Sequence, residues 1–97
     1  MEKWGFIYTS GDGDAPPVHG EAGTQACVLL TVGVPSTTVD PDVVEALVAE
    51  GGQLIELCGA FGPAEAAAIV EMVDGRVPVG YVTSPASEAG GLQGLFG

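Results

Sequence analysis

Residues 53–63 run Gln53-Leu-Ile-Glu-Leu-Cys-Gly-Ala-Phe-Gly-Pro63, an apolar stretch that passes through two glycines to a proline. Only Glu56 interrupts the apolar run, a pattern typical of a strand covered on both faces, as parallel strands are. The glycines permit the backbone angles of a tight turn, and Pro63 suits the first position of a helix. The stretch therefore predicts a strand, a turn and a helix in succession.

Helical spacing continues after Pro63, because Ala66, Ile69, Val70 and Val73 recur on one side, and Gly75 is expected to end the helix. A similar unit lies upstream. Residues 26–34 are apolar on both faces, which favours a strand inside the sheet. Asp40 can then cap a helix that starts at Pro41. Both units therefore predict a strand followed by a helix.

The two ends of the chain complete the pattern. Trp4, Phe6 and Tyr8 alternate along a first strand and form an aromatic stripe, which is more often a core or subunit contact than a ligand platform. Residues 77–83 form a last strand, and Pro78 near its start favours an edge position. Residues 10–25 are rich in Gly, Pro and Asp and are predicted to be a flexible flap or loop.

A C-terminal helix is predicted to be marginal. Leu92, Leu95 and Phe96 have helical spacing, but three glycines among them cost about 0.8–1 kcal/mol each relative to alanine. Residues 1–97 are thus expected to form a single α/β domain. It has about four mainly parallel strands, two firm helices and this marginal one. A ferredoxin-like α+β arrangement is the alternative, and the order of the strands is not readable.

Composition bears on partners and location. Charged residues make up 15% of the 97 residues, well below the usual value of about 25%, which favours a homo-oligomer with additional buried surface. The alternative is that Gly, Ala, Ser and Thr cover the exterior. The net charge of −11 argues against nucleic acid and anionic membranes as partners. The sequence shows no apolar span or leader, so we expect a cytoplasmic protein.

A ligand is expected at the carboxyl ends of the parallel strands, where ligands bind in open α/β sheets. The turns that follow the strands there hold small and hydroxyl-bearing residues. The candidate ligand-binding residues are Ser36, Thr37, Gly59, Gly62, Thr83 and Ser84. Since Lys3 and Arg76 both precede strands, this rim lacks a cation for phosphate, and small neutral or carboxylate ligands are favoured.

Three residues are candidates for catalysis. Glu56 is an acid in an apolar strand, and a carboxyl buried without a partner holds its proton more tightly and can act as general acid or base. Cys58 precedes a helix N-terminus, an environment that activates thiols, although a buried inert cysteine is commoner. His19 is the single histidine and lies among acids on the predicted flap. A structural role for Glu56 and a solvated loop for His19 are the simpler interpretations.

Motifs for cofactors are missing. The glycine turn lacks the lysine of a P-loop and the G-x-G-x-x-G spacing of a dinucleotide site. His19 has no H-x-x-x-H or C-x-x-C partner spacing, so neither a metal nor a cofactor is predicted. If their strands are parallel neighbours, Cys27 and Cys58 lie at opposite ends and are expected to be free thiols.

The opening Trp4-Gly-Phe-Ile-Tyr8, the run Leu54-Ile-Glu-Leu-Cys-Gly59 continuing to Pro63, and Val77-Pro-Val-Gly80 carry a family resemblance. In these motifs the chain resembles a bacterial family of α/β proteins of about its own length, whose function is unknown. The resemblance supports the fold and implies no activity. Two functions are therefore predicted: an oligomer that binds a metabolite or protein partner at the rim, or a lyase- or isomerase-type enzyme that uses Glu56 with Cys58 or His19.

Overall fold

The computed structural model describes residues 1–96. It contains five strands: β1 (Lys3–Thr9), β2 (Val18–Gly23), β3 (Val28–Val34), β4 (Ile55–Leu57) and β5 (Val79–Tyr81). The helices are α1 (Pro41–Ala49), α2 (Pro63–Val73) and α3 (Ala89–Phe96), with a short 3-10 turn at Ala86–Glu88 before the last. None of these helices combines the length and apolar character that a bilayer crossing requires.

The five strands form one mixed sheet in the order β2-β3-β1-β4-β5. β1 lies at its centre and pairs in parallel with β3 on one side and β4 on the other. β5 extends the parallel part at one edge, and β2 is antiparallel at the other. The predicted α/β class is confirmed, as are the mainly parallel strands and the edge position that Pro78 favours.

Strand β2 was not predicted, because it falls inside residues 10–25, which were assigned to a flap or loop. All six of its residues are exposed, so the alternation of Val18, Gly20 and Ala22 with the polar His19 and Glu21 marks no buried face. The strand is held by its antiparallel pairing with β3. A tight connection precedes β3, where the backbone N–H of Thr24 donates to the carbonyl of Cys27 at 3.0 Å. The sheet therefore has five strands where about four were predicted.

Both long helices cover the same face of the sheet. The chain passes from β3 over β1 to β4 and then on to β5, so both right-handed crossovers move in one direction and place α1 and α2 on one side. The helices contact each other, and a Cβ at Gly5 of β1 would lie 3.1 Å from the side chain of Leu47 in α1. The core between helices and sheet is built from aliphatic side chains and one aromatic ring: Ile7, Leu30, Val32, Val34, Val39, Val43, Val44, Leu47, Ile55, Leu57, Phe61, Ala66, Ile69 and Val73.

Local signals at the helix ends act as predicted. The Asp40 carboxylate accepts a hydrogen bond from the backbone N–H of Asp42 at 2.9 Å and caps α1, with Pro41 in the first position. After α2, Asp74 adopts the left-handed conformation with φ 49°, and Gly75 follows with φ 77°. The C-terminal helix α3 also forms, but it packs mainly on the 3-10 turn and leaves Leu95 79% exposed. The contribution predicted for the Phe96 side chain lies outside the described part of the structure.

One ion pair ties the start of the α2–β5 connection to α1. The guanidinium of Arg76 donates to both carboxylate oxygens of Glu45, at 2.9 and 2.6 Å. These hydrogen bonds, together with the positive charge of Arg76, lower the pKa of Glu45 in spite of some desolvation. Both side chains are well exposed, at 40% and 55%, so solvent screens the pair and its contribution to stability is small.

Replacing Glu45 by glutamine should reduce stability at neutral pH and have progressively less effect in acid. Because the pKa of Glu45 is lowered on folding, its stabilising contribution is present above the unfolded value of 4.5 and is lost as the pH falls through the folded value. Urea unfolding of wild type and Glu45→Gln over this pH range measures the difference. Glu71→Gln, a change at an exposed acid on α2, is the control. A difference that is equally large in acid would contradict the ion-pair explanation.

Candidate functional site

Within residues 1–96, α1 and α2 are the helices that pack on the sheet, and both lie on one face. The opposite face of the sheet carries no packed helix. We call it the open face. Strand alternation and the strand register assign its members, which are Val18, Gly20 and Ala22 of β2, Leu29, Thr31 and Gly33 of β3, Trp4, Phe6 and Tyr8 of β1, Leu54 and Glu56 at β4, and Gly80 and Val82 at β5. The predicted aromatic stripe thus points away from the helices, and its three rings are half-buried.

Charge is almost absent from the open face. Although the chain has thirteen acids, Glu56 is the one charged residue among those that form this surface. Its neighbours are aromatic, aliphatic or small, and Val82 is 49% exposed. Such an uncharged surface is unusual in a chain of net charge −11. Large apolar patches on protein surfaces mark interaction sites, so this face is a candidate site.

A single row of residues crosses the open face through all five strands. The register aligns Gly20, Thr31, Phe6, Glu56 and Gly80 side by side, with Phe6 in the middle. The two terminal glycines leave room for their neighbours. A Cβ at Gly80 would lie 2.5 Å from the Oε1 of Glu56, and a Cβ at Gly20 would lie 2.6 Å from the Oγ1 of Thr31. The carboxylate and the hydroxyl therefore lean outward over the two edge strands.

Aromatic side chains occupy the centre of the open face. The rings of Trp4 and Phe6 meet edge to face, with centroids 6.5 Å apart and planes at 75°. The ring of Tyr8 lies over Gly33, where an added Cβ would come within 2.7 Å of the Cζ. The position of Gly33 thus requires a residue without a side chain, because Tyr8 fills that space.

A shallow hollow of ≈ 360 Å³ lies on the β1–β4–β5 part of the open face. Its lining is apolar apart from one carboxylate and consists of Met1, Trp4, Phe6, Leu54, Glu56 and Val82. Within residues 1–96, no hydrogen bond reaches the carboxylate of Glu56, which is half-buried. The volume falls within the range of small-molecule sites, about 300–1,000 Å³.

The three candidate catalytic residues are not brought together. Glu56 lies on the open face, and Cys58 follows β4, half-buried and packed against the core. His19 pairs with Val32 of β3 and so points to the helix-covered side, where it lines a separate groove of ≈ 370 Å³ with Glu21 and Glu50. Since His19 and Glu56 occupy opposite faces of the sheet, they do not form one catalytic pair.

The candidate ligand-binding residues of the rim do follow parallel strands that end at one edge of the sheet. They do not line one common pocket, however. Thr37 lines a cleft of ≈ 250 Å³ with the first turn of α2, and Ser36 follows β3 beside it. Ser84 lines another hollow with α3, next to Thr83. Gly59 and Gly62 lie in the turn between β4 and α2, and Gly59 is exposed.

The helix N-termini at this rim already meet carboxylates of the chain itself. Asp40 caps α1, and the carboxylate of Glu65 lies beside Gly62, where an added Cβ would be 3.1 Å from its Oε2. A bound anion would compete with these groups. The two helices also lie on one face, so the rim has no crevice between helices on opposite sides, the usual ligand site of open α/β sheets.

The open face is not identifiable as a surface from the sequence. The alternation of Trp4, Phe6 and Tyr8 was a signal for an aromatic face, but the side that the helices cover depends on strand order. Cys27 and Cys58 are free thiols, and β1 lies between the strands that they adjoin, β3 and β4. Among residues 1–96, no three His, Cys, Asp or Glu side chains gather in a group suited to a metal ion.

The sheet, its one-sided helix layer and its open face define the class: a small two-layer α/β protein whose sheet is covered by helices on one face. The chain belongs to a family of unknown function, DUF6506, which matches residues 2–97. This match confirms the resemblance seen in the sequence motifs. No curated protein matches the chain. No solved structure matches it either.

Proposed function

We propose that the protein is a small cytoplasmic binding protein that captures a neutral, largely apolar metabolite or protein partner on its open face. The observation that carries this proposal is the composition of that face, where aromatic and aliphatic side chains surround one acid, Glu56, in a strongly acidic chain. Exposed apolar surface of this kind costs solubility unless a partner covers it.

The distribution of positive charge argues against phosphate and other strongly anionic ligands. Arg76 is paired with Glu45 on the helix layer. The ammonium of Lys3 donates to the carbonyl of Glu50 at 3.1 Å, at the amino end of β1. Neither cation faces the hollow around Glu56, so binding there rests on apolar contact and on hydrogen bonds to one carboxylate.

The rim borders this surface where β5 ends. Thr83 and Ser84 follow Val82, which lines the hollow, and Gly59 follows β4 at the same edge. These residues offer hydroxyl groups and accessible backbone to the polar end of a ligand, with Ser36, Thr37 and Gly62 further along the rim. Such a division, apolar body and few polar contacts, is typical of small-molecule sites.

A ligand screen read by two signals tests the proposal. Thermal unfolding with neutral metabolites, carboxylates and divalent metals should reveal stabilisation by a neutral or apolar compound. Because Trp4 is the single tryptophan and lines the hollow, the same compound should change its fluorescence. Val82→Asp should abolish both signals, since it places a second negative charge at the hollow.

The chain offers a matched control for that substitution. Val70 on α2 is 50% exposed, against 49% for Val82, but it lies on the helix layer. Val70→Asp should therefore leave ligand binding unchanged. Stabilisation without a change in Trp4 fluorescence, or equal losses of ligand binding in the two variants, would show that the compound does not bind at the open face.

An enzyme is the second candidate, and one observation favours it. The Glu56 carboxylate lies in an apolar hollow and receives no hydrogen bond from residues 1–96. Such a carboxylate can transfer a proton in a lyase or isomerase reaction. Turnover that disappears in Glu56→Gln and persists in Glu71→Gln would establish this function; turnover retained in Glu56→Gln would refute the proposed role.

A further inference from the structure

The central row of the open face is self-complementary about β1. Two strands lie on each side of β1, and the central row reads Gly20, Thr31, Phe6, Glu56 and Gly80. The outer positions are both glycines. The inner positions carry a hydrogen-bond donor, the hydroxyl of Thr31, and an acceptor, the carboxylate of Glu56. Rotation by 180° about an axis along β1 therefore exchanges glycine with glycine and donor with acceptor.

We propose that a second copy of this chain covers the open face, with the two-fold axis parallel to β1, so that Glu56 of each copy accepts a hydrogen bond from the partner's Thr31. This inference rests on the proposed function, because it names the partner of the same surface. In an isologous interface, if residue i of one copy contacts residue j of the other, then residue j of the first copy also contacts residue i of the second. Glu56 and Thr31 of the central row satisfy that condition.

The side-chain directions match this arrangement. The Glu56 carboxylate leans over Gly80 and the Thr31 hydroxyl leans over Gly20. The rotation places the edge strand β5 of one copy opposite β2 of the other, so the two groups face each other. Facing sheets lie about 10 Å apart, and an O–H···O⁻ bond spans about 2.5–2.7 Å, which leaves roughly 7 Å. The two side chains bridge this distance when they turn from the edge strands towards the partner sheet.

Charge repulsion favours contact between two copies through the open face and a two-fold axis along β1. Two chains of net charge −11 repel, and the open face is the surface on which they can meet with least repulsion, since it carries one acid of thirteen. A two-fold axis along the central row would place Glu56 opposite its own copy, two like charges in contact. The axis along β1 places each Glu56 opposite a hydroxyl instead.

The available area is that of a small interface. The five strands have seven, six, seven, three and three residues, which at about 4.8 Å between strands and about 3.3 Å per residue present roughly 400 Å² in projection. Interdigitating side chains raise the buried area above the projected one, which places the dimer at the lower end of specific interfaces, below the roughly 800 Å² per partner of standard ones. The low charge of the face is that of the core of a homodimer interface.

Sedimentation equilibrium on the full chain tests the dimer and its register together. We expect a particle of twice the 9.7 kDa chain mass at micromolar concentration. Thr31→Val removes two hydrogen bonds to a charged group per dimer, each worth about tenfold in affinity, so the dimer should weaken about 100-fold. Thr31→Ser keeps the hydroxyl and should bind as wild type does.

A double-mutant cycle separates this contact from general effects on folding. In a Glu56→Gln background the acceptor has lost its charge, so Thr31→Val should cost much less than in the wild-type background. Far-UV circular dichroism is the measurement that checks whether each variant is folded. A dimer whose affinity is the same in Thr31→Val, or additive losses in the cycle, would overturn the proposed contact.

A monomer at all accessible concentrations would overturn the dimer outright. The proposed function fails separately, because it predicts that an apolar compound alters Trp4 fluorescence in the monomer, where no second copy covers the hollow. A monomer that binds such a compound at the open face would thus refute the second copy as partner and retain the binding function.

Discussion

Leu57→Ala should lower the free energy of unfolding by about 2–5 kcal/mol, the usual cost of emptying a buried leucine site. Leu57 is fully buried in β4, within the core between the sheet and the two long helices. Its neighbours belong to different elements and cannot all move in to fill the space. Since domains of this size are stable by about 5–15 kcal/mol, the loss is a large part of the total. Urea unfolding followed by circular dichroism measures it.

The same substitution at Leu95 provides the control. Leu95 lies on α3 and is 79% exposed, so its truncation should change stability by no more than about 0.5 kcal/mol. If Leu57→Ala leaves no folded protein, Ile55→Val is the milder test of the same core, with an expected cost of about 0.5–1.5 kcal/mol. Equal effects at Leu57 and Leu95 would show that the core lies elsewhere.

Gly23→Ala should detach β2 from the sheet or destabilise the fold by about 1–3 kcal/mol, the cost of a strained backbone position. Gly23 has φ 128°, a conformation that residues with side chains rarely adopt. A Cβ there would also overlap the backbone carbonyl of Cys27, which cannot move aside as the end of a flexible side chain could. Amide hydrogen exchange along residues 18–23 and thermal unfolding report the two outcomes.

Gly13→Ala is the matched control for that change. Gly13 lies in the preceding loop, its φ is outside the left-handed range, and no atom lies within 4 Å of an added Cβ. Alanine there should be neutral or stabilise by about 0.4–1 kcal/mol, because it restricts the unfolded chain. If alanine at Gly23 were tolerated as well as at Gly13, the hairpin between β2 and β3 would be wrong.

The α/β units were predictable because their signals are local. The apolar run before Gly59 identifies β4, Pro63 identifies the start of α2, and Asp40 with Pro41 identifies the start of α1. Strand β2 gave no such signal. Its residues are exposed on both faces, and its place in the sheet depends on backbone pairing with β3, which lies several residues later.

The candidate site was harder to predict because it depends on strand order. Strand alternation places Glu56 and Phe6 on specific faces only once their pairing is known. The sequence alone allows His19 as a partner for Glu56, because it assigns no regular structure to residues 10–25. The pairing of His19 with Val32 then separates the two by the thickness of the sheet. Register decides which residues of adjacent strands share a face of the sheet. Because register depends on two strands, it cannot be read from either segment alone.

The central place of β1 sets the order in which the protein can assemble on the ribosome. β1 precedes the other four strands in the chain and pairs with both β3 and β4, where Gly5 is aligned with Ile55. Until residues beyond Leu57 have emerged, one edge of β1 remains unpaired beside an incomplete core. A nascent chain of this topology therefore completes its folding late, and fragments that end before β4 should aggregate instead of folding.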